Sequence, residues 1–208
     1  MSRTTLLGRS FYARPTLDVL KDIIGKVLVH DARGARTSGV IVEAEAYIGE
    51  DDPACHAACG PTSRNAPLYG PPGFAYVYLN YGLHYLVNAV TETEGRPAAV
   101  LIRALDPLEG LEIMTRRRQR VRRAEARARG RSASRAMTGH QLCQGPGNLT
   151  VSLGIDLTQN RVDLTNGSLR IEDHGLRPGE LTMSPRRGIR VGTERLWRCS
   201  WAEHQAVS

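Results

Sequence analysis

A chain of 208 residues, 41% hydrophobic and 24% charged, carries enough apolar surface for one sizeable core, which excludes the disordered and fibrous classes. The expectation is a single domain over 1–208, with residues 1–9 as a flexible lead. The net charge of +7 rests almost wholly on arginine, since Lys21 and Lys26 are the only lysines; a polyanionic partner explains this, and so does a genome rich in arginine codons.

The opening MSRTTLLGRSFYARP lacks the apolar core of a signal peptide, and no later run nears the roughly 20 apolar residues of a membrane span. A cytoplasmic protein with no membrane partner is expected. Pro15-Thr16 followed by Leu17, Leu20, Ile23 and Ile24 at helical spacing, then Gly25, predicts a short capped helix with a glycine stop. KVLVHD (26–31), a turn through residues 32–36 and SGVIVEAEAYI (38–48) alternate as a β-hairpin does. Residues 49–73 are rich in Gly, Pro, Asp and Asn without sustained period, and a loop of that length in a compact domain is usually functional.

FAYVYLNYGLHYLVNAVTE (74–92) predicts strand, turn and strand with Gly82 near the bend, and PAAVLIRALDP (97–107) a further strand. Residues 108–129 predict a helix whose arginines, from Arg116 to Arg129, wrap around more than one face, so it is solvated or lies on phosphate. GHQLCQGPGNLTVSLGI (139–155) reads as a glycine-rich turn into a short helix, and short strands and turns follow to the C-terminus.

Two constellations carry chemistry. In VEAEAY (42–47), alternation puts Glu43, Glu45 and Tyr47 on one strand face, with Val42, Ala44, Ala46 and Ile48 on the other. An exposed polar face is the ordinary fate of such a pattern; the functional alternative gains from the adjoining loop, which carries Asp51, Asp52 and His56 to the same sheet end. In YVYLNYGLHY (76–85), four of the chain's seven tyrosines fall within ten residues, as a sheet core or as a platform for stacked bases.

Cys55, Cys59, Cys143 and Cys199 read as free thiols. Cys55-His56-Ala57-Ala58-Cys59 offers zinc-ligating side chains, yet no second pair completes a tetrahedral set, so no metal is expected. The H-x-E and P-C-x-x-C pair of the zinc deaminases is absent.

Taken together, GKVLV (25–29), IVEAEAY (41–47), His56, Arg64-Asn65, PGFAYVYLNYG (72–82), Asn88, LIRALDPLEG (101–110), LCQGPG (142–147) and Pro185-Arg186 resemble the alkyladenine (3-methyladenine) DNA glycosylase family in order over about residues 10–198. The resemblance implies one mixed α/β (α+β) domain, a curved antiparallel sheet flanked by helices. It also implies a monomeric, monofunctional enzyme that flips alkylated or deaminated purines out of double-stranded DNA and hydrolyses their N-glycosidic bond, with no cofactor. By position, Glu45 looks like the general base and Arg103 like the residue that orients it and the water. Tyr47, His56 and Tyr78 look like the base pocket, Asn88 like the side chain that disfavours guanine, and Tyr81 like the wedge left in the vacated stack.

The residue types suit that chemistry, because cleavage builds cationic character on the sugar and a carboxylate both activates water and opposes the charge. Asn148 stands where the family's G-P-x-K-L turn has lysine, Leu68-Tyr69 replace the usual Met-Phe, and the ending keeps only Trp197-Arg198 and Val207-Ser208. The competing class is a non-catalytic basic nucleic-acid-binding module. It accounts for the arginines but not for carboxylates beside a polyanion site, where they cost affinity.

Overall fold

Runs of β-branched and apolar residues between glycine-rich turns make sheet the leading regular structure of this chain, in a computed structural model that describes residues 4–32, 34–132, 137 and 139–208. Among them, nine strands form one open antiparallel sheet: β1 (Thr5–Leu6), β2 (Val27–Ala32), β3 (Ala35–Ile48), β4 (Ala75–Asn80), β5 (His84–Val90), β6 (Ala98–Glu109), β7 (Leu169–Asp173), β8 (Leu181–Ser184) and β9 (Arg198–Trp201). The main path runs β1-β7-β2-β3-β6-β5-β4, and β9, with β8 beyond it, also pairs with β3. Four helices accompany the sheet: α1 (Arg9–Tyr12), α2 (Thr16–Asp22), α3 (Leu111–Ala128) and α4 (Pro146–Leu153). None is long and apolar enough to cross a membrane. The mixed, single-domain architecture inferred from the sequence is the one observed. Residues 1–3, part of the expected flexible lead, Arg33, within the turn expected over 32–36, and residues 133–136 and 138 lie outside the described residues.

Strand β3 is the organising element. One of its edges pairs with β6 along nearly its whole length, while the other is shared, taken by β2 over residues 35–40 and by β9 over Glu43–Glu45. At the changeover the β3–β6 register shifts on both sides of Glu43: Ile41 pairs with Leu105, Glu43 with Ala104 and Ala44 with Ile102. This irregularity breaks the alternation read from the sequence. Ile41, Ala44 and Ala46 all face the main core, whereas Val42 belongs to a separate cluster with Val27, Val29, Val40, Ala104 and Ala206. A bulge turns a strand and re-aims its side chains, and here it does so immediately before the two glutamates.

The main core packs Val19, Leu20, Ile23 and Ile24 from the α2 region and Leu149 and Leu153 of α4 on Ile41, Ala44, Val100, Ile102 and Leu105 of the sheet. Fully burying each large aliphatic side chain stabilises by about 1.5–3 kcal/mol. Helix α2 ends at Asp22, short of the expected glycine stop, with Ile23 as its cap and Gly25 (φ +85°) closing the turn that follows; its start is capped from a distance, as the Glu92 carboxylate accepts from the Thr16 N–H at 3.3 Å and from its hydroxyl at 2.9 Å. At the N-terminus Thr5–Leu6 pairs with β7, and Arg9 binds Asp163 and the Pro72 carbonyl.

Helix α3 begins later than the pattern suggested, since β6 continues to Glu109. Nor is it solvated all round. Met114 and Arg118 are buried, and Arg117 donates to the Ser152 carbonyl of α4 at 2.9 Å, leaving Arg116, Arg120, Arg123, Arg127 and Arg129 exposed.

Two glycines with similar φ differ in what surrounds them. Gly110 (φ +77°), between β6 and α3, would place a Cβ 2.5 Å from the Arg36 carbonyl oxygen, whereas Gly82 (φ +69°), in the β4–β5 turn, has no neighbour within 4 Å. Gly82→Ala should therefore carry only the left-handed penalty of about 1 kcal/mol, and Gly110→Ala about 3 kcal/mol or more, because backbone must move. Equal losses in chemical denaturation would refute the role of packing at Gly110.

Candidate active site

The bulge in β3 delivers Glu43 and Glu45 into the interior, where both side chains have no exposure. The exposed polar face that alternation suggested is thereby excluded, and each buried carboxylate requires compensating donors. Arg103 of β6 lies between them, its Nε 3.0 Å from Glu43 Oε1 and one terminal nitrogen 3.2 Å from Glu45 Oε2. Glu43 is held on all sides. Arg198 of β9 donates to the same Oε1 at 2.6 Å, and the Ser208 N–H and hydroxyl donate to Oε2 at 2.7 and 2.6 Å. Burial alone would raise its pKa, but Ser208, Arg198 and Arg103 outweigh burial and hold it below the usual carboxylate range.

Glu45 receives less. The Arg187 N–H donates to Oε1 at 2.7 Å and the Tyr47 hydroxyl to Oε2 at 2.9 Å. Burial dominates here and lifts the pKa above the ordinary value against Arg103, while the nearby Glu43 charge pushes the same way. Each carboxylate oxygen can accept two hydrogen bonds, so Oε1 keeps one acceptor site open. Two carboxylates on one strand are thus driven apart, one into a saturated ionic anchor and the other into a more basic group with spare capacity.

Beside them opens a cleft of about 480 Å³, within the range of small-molecule sites. Tyr47, His56, Tyr78, Asn88 and Arg103 line it, with Tyr81 at its rim and the start of α4, Gly145–Asn148, along one wall. The His56 ring stands edge-on to Tyr78, 4.5 Å between centroids, and its Nδ1 is 2.8 Å from the Tyr76 hydroxyl. Burial and the Arg64 charge lower the His56 pKa, favouring the neutral ring. Asn88 is oriented by donating its Nδ2–H to the Tyr76 carbonyl at 2.9 Å. Tyr81, at the tip of the β4–β5 hairpin with φ +48°, is 87% exposed, and Leu83 beside it is 75% exposed.

All seven residues singled out from the sequence therefore fall in or at one site. Others were misread. Asp52, grouped with the candidate acids, is fully buried and paired to Arg186 at 2.5 and 2.8 Å, while Asp51 is exposed. Tyr85 packs on the main core, leaving three of the four clustered tyrosines at the cleft. Asn148 binds the Gln144 carbonyl at 2.6 Å within the α4 turn. The α4 start and Arg186 lay within quoted motifs, LCQGPG and Pro185-Arg186, without a role assigned to them, and the Arg187 N–H had no signal at all, since a backbone donor leaves no mark in side-chain type. All four cysteines are free, and burial raises Cys55 and Cys199 to about 11. Among the described residues no three of His, Cys, Asp and Glu are grouped to hold a metal ion.

The family model described as Methylpurine-DNA glycosylase matches residues 10–205. Curated relatives that share the printed name "Putative 3-methyladenine DNA glycosylase" include one from Methanocella arvoryzae, 43% identical over 197 residues (93% of this chain, 90% of the relative). One from Sodalis glossinidius is 43% identical over 199 residues (95% and 98%), and one from Rubrobacter xylanophilus 48% identical over 178 (85% and 84%). With the matched region spanning every element of the site from β3 to β9, this chain belongs to the methylpurine-DNA glycosylase family.

Proposed function

We propose that the protein is a monofunctional DNA glycosylase, acting as a cytoplasmic monomer, that rotates an alkylated or deaminated purine out of duplex DNA and hydrolyses its N-glycosidic bond with Glu45 as general base. The observation that carries this reading is the buried, under-coordinated Glu45 carboxylate beside a tyrosine-lined cleft. A purely binding module has no use for a buried carboxylate of raised pKa, and burying it costs stability.

In this mechanism the purine stacks against Tyr47 and Tyr78, with His56 and Asn88 presenting polar edges to its rim. Tyr81 occupies the gap left in the duplex. Glu45 accepts a proton from water as the water oxygen bonds to the sugar carbon, and the carbon–nitrogen bond pair leaves with the base. A base alkylated on the ring carries a positive charge and departs neutral, so no strong general acid is needed. Arg103 keeps Glu45 ionised and aimed, and the Glu45 charge opposes the cationic character on the sugar. The direct test is base release, identified by mass, from duplexes holding one alkylated or deaminated purine. Strand scission with a borohydride-trapped adduct would contradict the monofunctional reading.

Glu45→Gln should lower single-turnover excision by about 10²-fold or more while lesion binding persists, because the amide keeps shape but accepts no proton. Glu43→Gln should instead retain excision but lose stability, by about 3 kcal/mol at neutral pH, as Arg103 and Arg198 lose their shared anion. Since the folded pKa of Glu43 is depressed, that contribution is present above its unfolded pKa and fades as pH falls through the folded one. A more active Glu45→Gln than Glu43→Gln, both folded, would reverse the assignment. Excision of a cationic base should rise with pH through one ionisation lying above the ordinary carboxylate range, from the raised Glu45 pKa.

Tyr81→Ala should slow excision of a paired lesion by roughly 10-fold or more and that of a mismatched or unpaired lesion much less, because flipping costs least where pairing is already lost. Equal slowing of both would remove the wedge role.

A further inference from the structure

Arg186 has no part in the mechanism above, yet it is a fully buried cation directly against a cleft residue. Its guanidinium carbon lies 4.7 Å from the Tyr47 ring centroid and 5.1 Å from that of Trp197, over the face of each ring. Asp52, also without exposure, holds the fork at 2.5 and 2.8 Å, and the Ala46 carbonyl accepts a third bond at 3.1 Å. Tyr47 lines the cleft and Arg186 does not, so the cation stands behind the ring. The tyrosine hydroxyl is tied to Glu45, which fixes the ring against rotation away from this partner.

We infer that Arg186, held in place by Asp52, is a specificity-determining residue that sets how the cleft divides its action between cationic and neutral purines. The inference rests on the glycosylase reading above. An aromatic face attracts a cation through its quadrupole, and a cation already seated on one face draws electron density away from the other. The Arg186–Asp52 pair is neutral as a whole but turns its positive end toward Tyr47, and burial leaves that field unscreened by water. A ring-alkylated, cationic purine in the cleft therefore gains little from Tyr47 beyond dispersion, while a neutral deaminated purine stacks there undiminished. Arg64, 5.7 Å from the Tyr78 centroid, repeats the arrangement at the second tyrosine, but it is exposed and water screens it. The result is a cleft that favours cationic over neutral lesions less than its tyrosine faces alone would.

The test compares kcat/KM for excision of 7-methylguanine, a cation, and hypoxanthine, a neutral base, each in a duplex opposite cytosine. Asp52→Asn/Arg186→Met removes both charges together; Arg195, 3.7 Å from Asp52, loses that contact but is partly exposed and keeps Glu194 at 3.6 Å. The double variant should shift the cationic-to-neutral ratio toward the cation by about threefold or more, whatever the loss in absolute rate, whereas Arg186→Lys should keep the wild-type ratio. Loss of packing alone would slow both substrates together, and an unchanged ratio in the double variant overturns the inference. Tyr47→Phe and Tyr47→Leu decide it independently of the folding of that variant, since both lack the hydroxyl and differ in the aromatic face. Their ratios should agree within about twofold, and selective loss of 7-methylguanine excision in Tyr47→Leu overturns the inference. Release of neither base by the wild-type protein would instead overturn the glycosylase reading itself.

Discussion

Two carboxylates two residues apart on a single strand, both stripped of water, form the constraint around which this molecule is arranged. A buried anion is tolerable only when donors surround it, and two such anions close together raise the demand further. The chain answers from three directions: Arg103 from β6 on one edge of β3, Arg198 from β9 on the other, and backbone N–H groups of Arg187 and Ser208. The bulge at Val42–Glu43, the division of one β3 edge between β2 and β9, and the position of β6 are the geometry that brings these donors to one place. Because the donors are shared unequally, the two acids end in different electrostatic states: Glu43 reaches the cleft wall through Arg103 alone, whereas the under-coordinated Glu45 is tied to three wall residues, Tyr47, Arg103 and Arg187.

The tyrosine-rich hairpin shows how one local pattern is divided among tasks by position. Tyr76 is buried and holds the His56 ring; Tyr78, two residues on, presents its ring to the cleft. Tyr81 falls at the tip, where a left-handed backbone projects it into solvent, and Tyr85 returns to the core beneath α4. A cleft wall, a positioning contact, an exposed hairpin tip and a core residue thus come from one ten-residue run. Strand period and turn placement assign the roles, and the side-chain type alone does not.

Much of the architecture was legible because its cause is local. The β2–β3 hairpin, the β4–β5 hairpin with its glycine at the bend, and the turn after α2 that closes at Gly25 follow from period two and from residues that tolerate unusual backbone angles. The positions of Glu45, Arg103, Tyr47, His56, Tyr78, Asn88 and Tyr81 were legible only through joint motif spacing, since each alone has an ordinary structural explanation. What sequence pattern missed was non-local. The bulge that moves Val42 into a different cluster from Ala44 depends on the register with β6. The burial of Asp52 depends on Arg186, 134 residues away, and the cap of α2 depends on Glu92. Helix α3 looked evenly basic because Arg117 and Arg118 count as polar until their packing partners are known.

The Glu43 anchor also imposes an order in time. Its partners lie 60 residues away at Arg103, 155 at Arg198 and 165 at Ser208. Closing chain segments of that length is entropically slow compared with forming the hairpins or α2, which need only near neighbours. During synthesis β3 emerges long before the strand and terminal residues that neutralise its glutamates, so in the growing chain this segment carries charges whose partners are not yet made. Those charges keep an otherwise apolar, β-prone stretch soluble and discourage it from pairing with another nascent chain. The same two acids that need the finished fold thereby guard the unfinished one.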